Sequence, residues 1–267
     1  MEKIDVEKNT GNLYSDCFSF LTEKEWNYQG EVLAELICLK ADSVENKVCL
    51  DAGCGHGALT WQIAEKGAES VYGVDLKPTP KEIKFVGKEG VIKFIQSSIL
   101  GLPFEDDFFD FIVSTGVLHH TFDTEKAFSE LVRVLKPGGK IILGLYGKHG
   151  LFPYVLSLFR IFTVRVPLIR KKFIDDLIKS FKFSPMQRYQ ILDYLYVPVL
   201  RRYSPKQVMN LFLINGLKNP ERIFGLSSIS AKEYRKNGTV YTYDSRTLLS
   251  KLLFGYGFIV FSGEKSV

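Results

Sequence analysis

Val48-Cys49-Leu50-Asp51-Ala52-Gly53-Cys54-Gly55-His56-Gly57-Ala58-Leu59-Thr60 decides the fold. An apolar strand runs into an acid, then into three glycines at alternating positions, then into a helical pattern. Glycines so spaced let the backbone turn tightly and let a ligand approach with no Cβ in the way. Asp51 sits where the strand ends, beside that turn. A carboxylate there repels a pyrophosphate and attracts a cation.

Gly53-x-Gly55-x-x-Ala58 also satisfies the dinucleotide fingerprint, with alanine in third place. Asp75 closes the next strand, Ser70-Val71-Tyr72-Gly73-Val74-Asp75, about 20 residues on, where an acid takes ribose hydroxyls. NAD and S-adenosylmethionine both carry that ribose. S-adenosylmethionine has no phosphate and bears an ammonium and a sulfonium, so Asp51 and the extra Gly57 favour it.

Working outward, apolar runs near 48–51, 71–75, 91–96, 109–114 and 140–146 read as strands. A helix is expected over Thr22 to Leu39, with Trp26, Leu33, Leu36 and Ile37 on one stripe. The helix after Gly57 turns Leu59, Ile63 and Ala64 inward. Another runs from Asp123, a plausible N-cap, to Leu135, with Pro137-Gly138-Gly139 as its stop. Pro78 and Pro80 leave room for a brief helix at most between Asp75 and Val91. A helix from Ser204 to Ile214, a strand near Glu221–Phe224 and a last one over Gly257–Ser262 complete the chain.

Alternating strands and helices imply an α/β fold. A doubly wound, mostly parallel sheet with helices on both faces is expected. Ligands bind beyond the carboxyl ends of such strands. Asp51, Asp75, Ser98, Ser114 and Tyr146 all fall there. The expected organisation is an N-terminal helical segment (1–46), a binding core (47–146), an inserted cap (147–203) and a completion of the sheet (204–267).

From Lys47 to Tyr146 the chain resembles the class I S-adenosylmethionine-dependent methyltransferases, in the small-molecule branch that includes the quinone-biosynthesis enzymes. Asp51-x-Gly53-x-Gly55-x-Gly57 resembles the first motif and Val74-Asp75 the ribose-binding acid. Leu102-Pro103-Phe104 through Val113 is similar to the approach to the fourth strand, and Ser114-Thr115-Gly116-Val117-Leu118-His119-His120 to the loop after it. Leu131 through Gly139 is similar to the turn into the fifth strand. The resemblance implies seven strands with a helical insertion after strand five, and methyl transfer from S-adenosylmethionine. It implies cofactor contacts at Asp51, Gly53, Gly55, Gly57, Asp75, Leu76, Ser98, Ile99, Ser114 and Gly116. His119 and His120, near the methyl group, are the candidate general bases. His149 and Tyr146 are weaker candidates, and His56 falls within the glycine loop. No metal is implied.

One position departs from the pattern. Relatives place an aspartate for the adenine amino group where this chain has Ser98, beside Ser97. A hydroxyl accepts that hydrogen bond without the strengthening charge.

The insertion is apolar and basic together, with Arg160, Arg165, Arg170, Arg201 and Arg202 among its cations and aromatics interleaved. Three readings stay open. It is a lid whose arginines face an anionic acceptor, an interfacial membrane contact over 151–202, or a set of helices with solvated basic faces. Leu151 to Ile169 is broken by Pro153, Arg160, Arg165 and Pro167, which argues against a spanning helix.

A formal net charge of +5 is compatible with nucleic acid, but Ser114-Thr115-Gly116-Val117 lacks the Asn/Asp-Pro-Pro-aromatic run of base-amine methyltransferases. A small-molecule acceptor, acidic or lipid-like, is therefore expected. RNA or protein methylation and a catalytically silent cofactor-binding module are the alternatives. Four cysteines (Cys17, Cys38, Cys49 and Cys54) without CxxC spacing read as free thiols. With no signal-like apolar N-terminus, a cytoplasmic setting is expected, with membrane contact at most peripheral.

Overall fold

The computed structural model describes residues 3–18, 21–77, 87–88, 90–151, 154–155, 157–158, 160, 193–223, 252 and 257–267, without the side chains of 3–5 and 17. The crossover expected between Asp75 and Val91, except residues 87, 88 and 90, lies outside them, as do most of the insertion, Phe224 and the Cys17 side chain.

Three helices precede the sheet: α1 (Lys3–Phe18), α2 (Glu23–Leu36) and the short α3 (Ala41–Val44). Thr22 caps α2 in a capping box. Its hydroxyl accepts from the Glu25 backbone N–H, and the Glu25 carboxylate accepts from the Thr22 N–H. The helix is shorter than its apolar stripe, since Ile37 is already its C-cap.

The sheet has seven strands in the order β3-β2-β1-β4-β5-β7-β6. These are β1 (Val48–Ala52), β2 (Ser70–Asp75), β3 (Ile92–Gln96), β4 (Phe109–Thr115), β5 (Leu135–Tyr146), β6 (Leu217–Ile223) and β7 (Phe258–Lys265). The first five pair in parallel, while β7 lies antiparallel between β5 and β6. Strand order reverses at β1, with β2 on one side and β4 on the other. The carboxyl ends of β1 and β4 therefore flank the crevice where ligands of such sheets sit.

Helices α4 (Ala58–Glu65), α5 (Thr124–Val134) and α6 (Pro205–Ile214) cover the two faces. Side-chain alternation along β1 sends Cys49 to the face holding Ile37, Leu59 and Ile63, and Leu50 to the face holding Phe128, Leu131 and Phe212. Asp123 caps α5 by accepting from the Lys126 N–H. The expected stop at Pro137-Gly138-Gly139 is corrected. α5 ends at Val134, and Leu135 already pairs with Phe109, the ladder shifting register before Phe111. Ser204 caps α6 in a second capping box with Gln207, and Pro205 takes the first helical position, where its missing N–H costs nothing. No described helix is long and apolar enough to cross a membrane.

Candidate functional site

β1 delivers Asp51 to the crevice with 2% of its surface exposed. The Thr60 hydroxyl of α4 donates to its Oδ2 at 2.7 Å. Burial pushes its carboxyl up to about 7. The Thr60 hydroxyl works against that shift and the neighbouring Asp75 adds to it. A buried acid so poised gains most when a cation is placed beside it.

The turn that follows is pinned to β2. Gly53 and Cys54 donate their N–H groups to the Val74 carbonyl at 2.7 and 3.0 Å. Gly53 adopts φ +82°, and a Cβ there would lie 2.2 Å from Val117. Gly55 adopts φ +55°, and a Cβ there would lie 2.7 Å from the Phe18 ring. Side chains are excluded at both positions by conformation and by contact. Asp75 reaches into the same turn: its Oδ2 accepts from the Gly55 N–H at 2.9 Å and its Oδ1 from the Lys77 N–H at 3.3 Å. Burial raises its pKa, and those backbone donors restrain the rise.

A cavity of about 170 Å³ runs along this turn. It is not packed shut by Val117 and Phe18. Of the residues expected to hold a cofactor, Asp51, Gly53, Gly55, Asp75, Leu76, Ser98, Ile99 and Gly116 line it. Gly57 and Ser114 do not. Gly57 is the N-cap of α4 at φ +82°. The Ser114 hydroxyl is spent on the Ala52 carbonyl at 2.7 Å, tying β4 to β1 beneath the site. Cys54 is buried, its thiol pKa raised by that burial, and its Sγ packs over Gly73, where a Cβ would lie 3.0 Å away.

The two candidate bases separate. Leu118–His120 is a single 3₁₀ turn, which sends adjacent side chains in different directions. His120 lines the cavity. His119 does not. It is fully buried, 4.0 Å from the His120 ring and 4.2 Å from the Tyr146 ring, and burial holds it neutral. His56 lines the cavity on the other side, with Nε2 2.7 Å from the Gln29 amide oxygen and its pKa lowered to about 3 by burial. His149 is exposed, at φ +71°, and does not line the cavity.

His120 is the hub of a buried polar cluster. Its Nδ1 donates to the Val199 carbonyl at 2.9 Å, because a carbonyl can only accept. Its Nε2 faces Asp193 Oδ1 at 3.2 Å. Asp193, 1% exposed, lies in the helical stretch 193–196. The Tyr14 hydroxyl donates to one of its oxygens and the Tyr146 hydroxyl to the other, the latter at 2.6 Å. Burial lowers the His120 pKa, while Asp193 and the Val199 carbonyl pull it back up. The neutral ring therefore presents a lone pair at Nε2, and a proton arriving there meets a carboxylate.

α1 was expected only as part of a helical segment, yet Val6, Glu7, Thr10, Gly11, Tyr14 and Phe18 line the cavity. Their signal was present in the sequence, since positions 6, 10, 14 and 18 repeat every four residues. Asp193 carried no signal, being one acid in a basic stretch. Two of the arginines described in the insertion serve backbone groups. Arg160 donates to the carbonyls of Tyr194, Val197 and Pro198, and Arg201 to those of Thr121 and Phe122. Arg202 reaches the Ser157 hydroxyl at 3.0 Å and stacks over Tyr194. None of the three lines the cavity.

Residues 50–143 match the family model described as a methyltransferase domain. Phosphoethanolamine N-methyltransferase 2 of Caenorhabditis elegans is 34% identical over 111 residues, covering 40% of this chain and 25% of that protein. The ubiquinone/menaquinone biosynthesis C-methyltransferase UbiE of Francisella tularensis subsp. novicida is 27% identical over 180 residues, covering 64% of this chain and 68% of its own length. Across three curated relatives this chain spans between 25% and 41% of their length. Among solved structures, the 1,6-didemethyltoxoflavin-N1-methyltransferase of Burkholderia thailandensis shares the fold. Its TM-score is 0.57 at 13% identity, covering 100% of this chain and 92% of its own.

Proposed function

We propose that this chain, which belongs to the class I S-adenosylmethionine-dependent methyltransferases, binds that cofactor over its glycine turn and methylates a small, acidic or lipid-like acceptor. One observation carries the reading. Two inward-facing carboxylates, Asp51 and Asp75, share a cavity with a turn that excludes side chains.

The residues present fit the cofactor. Asp51 offers a buried negative charge to its ammonium and sulfonium, and Asp75 has lone pairs left for ribose hydroxyls. Gly116, at φ +78°, leaves the opposite wall open: a Cβ there would meet no protein atom within 4 Å. When bound, S-adenosylmethionine supplies an electrophilic methyl group with a neutral thioether as leaving group.

The protein's own share is alignment, dryness and a proton acceptor. Orienting two reactants in one cavity can lower a barrier by about 7–11 kcal/mol. α1 supplies Val6, Glu7, Thr10, Gly11, Tyr14 and Phe18 to the cavity wall, where excluding water would protect the sulfonium. Val32, Leu33, Leu36 and Phe258 line it with apolar surface, which suits an acceptor with an apolar body. The acceptor's proton passes by way of the Tyr14 or Tyr146 hydroxyl at the cavity wall to the Asp193–His120 pair, whose Nε2 is buried beside the carboxylate, as the new bond to carbon forms. Asp193 then holds the imidazolium, with Tyr14 and Tyr146 fixing the carboxylate. Such a base contributes roughly 10²–10⁴-fold. The phosphoethanolamine and ubiquinone/menaquinone methyltransferases to which the chain is similar are named for small-molecule acceptors, which supports an acceptor of that size.

Calorimetry with S-adenosylmethionine tests the first half, and the absence of binding heat ends the reading. Methyl-labelled cofactor with a metabolite extract tests the second. Label is expected in a small organic-soluble or anionic product, whereas label in RNA or protein overturns the acceptor class.

A further inference from the structure

Past Asp75 the cavity continues along Leu76 to the end of β3, where Ser97, Ser98 and Ile99 form its floor. This end would receive the base of a nucleoside whose ribose lies on Asp75. The Ser98 hydroxyl sits there, but its proton is committed. It donates to Glu7 Oε1 at 2.5 Å, while accepting from the Leu100 N–H at 3.1 Å. Ser98 is thus left with no donor and one lone pair.

The strong acceptor at this end comes instead from α1. Glu7 lines the cavity, and its second oxygen makes no hydrogen bond among the described residues. Its placement is fixed by the close approach of α1 to the loop after β2. A Cβ at Gly11 would lie 3.2 Å from Leu76 Cβ and 3.3 Å from the Lys77 side chain, so the helix rests directly on that loop. One turn away, the Thr10 hydroxyl is spent on the Val6 carbonyl at 2.7 Å and offers no competing donor to the cavity.

We propose that Glu7 is the specificity-determining residue for the nucleobase: its carboxylate, steadied by the Ser98 hydroxyl, accepts from the exocyclic amino group of adenine and rejects a 6-oxo purine. The inference rests on the cofactor reading above and adds a residue to it. The physical basis is the sign of the edge. An amino group presents hydrogens to a carboxylate, whereas a 6-oxo group presents lone pairs and is repelled. The charge that the family pattern would place at position 98 is carried here by a different element, and Ser98 serves as its rest. A charged acceptor gives a stronger bond than a hydroxyl would, and the wrong edge leaves that charge unpaired.

The test is calorimetry of the full chain with S-adenosylhomocysteine and its 6-oxo analogue, S-inosylhomocysteine. The wild type is expected to prefer the adenosyl ligand by at least about tenfold. Glu7→Gln, whose amide can donate as well as accept, is expected to bring that preference to about threefold or less, through weaker adenosyl binding and stronger inosyl binding. Adding Ser98→Asp to Glu7→Gln is expected to restore it. Ser98→Ala alone is expected to keep the preference, because the reading group is untouched. It decides the matter if Glu7→Gln does not fold. An unchanged preference in Glu7→Gln, or a lost one in Ser98→Ala, overturns the role of Glu7 and leaves the cofactor site standing. Failure of the wild type to bind S-adenosylhomocysteine overturns the cofactor reading itself, and this inference with it.

Discussion

At the glycine end of the cavity, Asp51, Gly53, Gly55 and Asp75 come from two neighbouring strands and the turn between them, and the Asp75–Gly55 bond spans 20 residues. At the far end, Tyr14, His120, Tyr146 and Asp193 come from four separate segments, and the Tyr14–Asp193 bond spans 179. The first end is built by local backbone geometry, which tolerates change elsewhere in the chain. The second exists only when α1, the 3₁₀ turn, the end of β5 and the insertion are packed together. On the proposed function, binding the methyl donor and using it would rest on different parts of the sequence, and substitutions should separate them.

The sharpest separation is expected from His120→Asn. Turnover should fall by roughly 10²–10⁴-fold, while the S-adenosylhomocysteine dissociation constant stays within about threefold. Single-turnover methyl transfer beside calorimetry reads both. A matched loss in the two would merge the ends and break the comparison.

Asp51→Asn is the converse. Removing the buried charge should weaken S-adenosylmethionine by about a hundredfold. The same change should stabilise the protein without ligand. Folded Asp51 holds its proton to about 7, against an ordinary 3.8. Between those values the unfolded chain has lost the proton and the folded chain keeps it, so the wild type loses stability as pH rises through that window. The asparagine variant escapes the loss. Its advantage should grow from pH 4 to 7, to roughly 4 kcal/mol, and then stay level. Denaturant melts at several pH values check this. A gap independent of pH would mean that Asp51 titrates normally.

Tyr14→Phe removes one donor from Asp193 and leaves the glycine end intact. Turnover should fall about tenfold, with the acid limb of the pH–rate profile displaced and donor affinity nearly unchanged. A profile that keeps its midpoint would confine Tyr14 to packing.

The smallest effect is expected at Arg201. Its guanidinium donates to the Thr121 and Phe122 carbonyls and stands outside the cavity. Arg201→Ala should cost about 1 kcal/mol, or a melting shift of about 2–4 °C, with the acceptor KM unmoved. A raised KM without loss of stability would return Arg201 to the acceptor site.

Most of the sheet and the glycine end were legible in the sequence because their chemistry is local. Gly53, Gly55 and Asp75 sit at fixed spacings after apolar runs, and a turn with φ above zero declares itself by its glycines. β5 began earlier than expected because pairing of Leu135 with Phe109, a tertiary event, outweighed the local stop signal of Pro137-Gly138-Gly139. His119 and His120 could not be told apart by adjacency, and the 3₁₀ turn had to form before one faced the cavity. Position 98 announced a missing charge, but its replacement on α1 depends on how that helix rests on Leu76, and no spacing within either segment encodes that. Asp193 was hidden for the same reason: nothing in a stretch rich in arginine and lysine marks which carboxylate will be buried.

One phenol ties α1 to the proton acceptor. Tyr14 belongs to the helix that also brings Glu7 and Phe18 to the cavity, and its hydroxyl is one of two that steady Asp193 behind His120. Were that helix to swing aside for a nucleoside, the carboxylate would lose a partner and the imidazole's grip on hydrogen ion would change. Loading and proton uptake would then be geared to one another, with the histidine's affinity for that ion a gauge of where the helix stands.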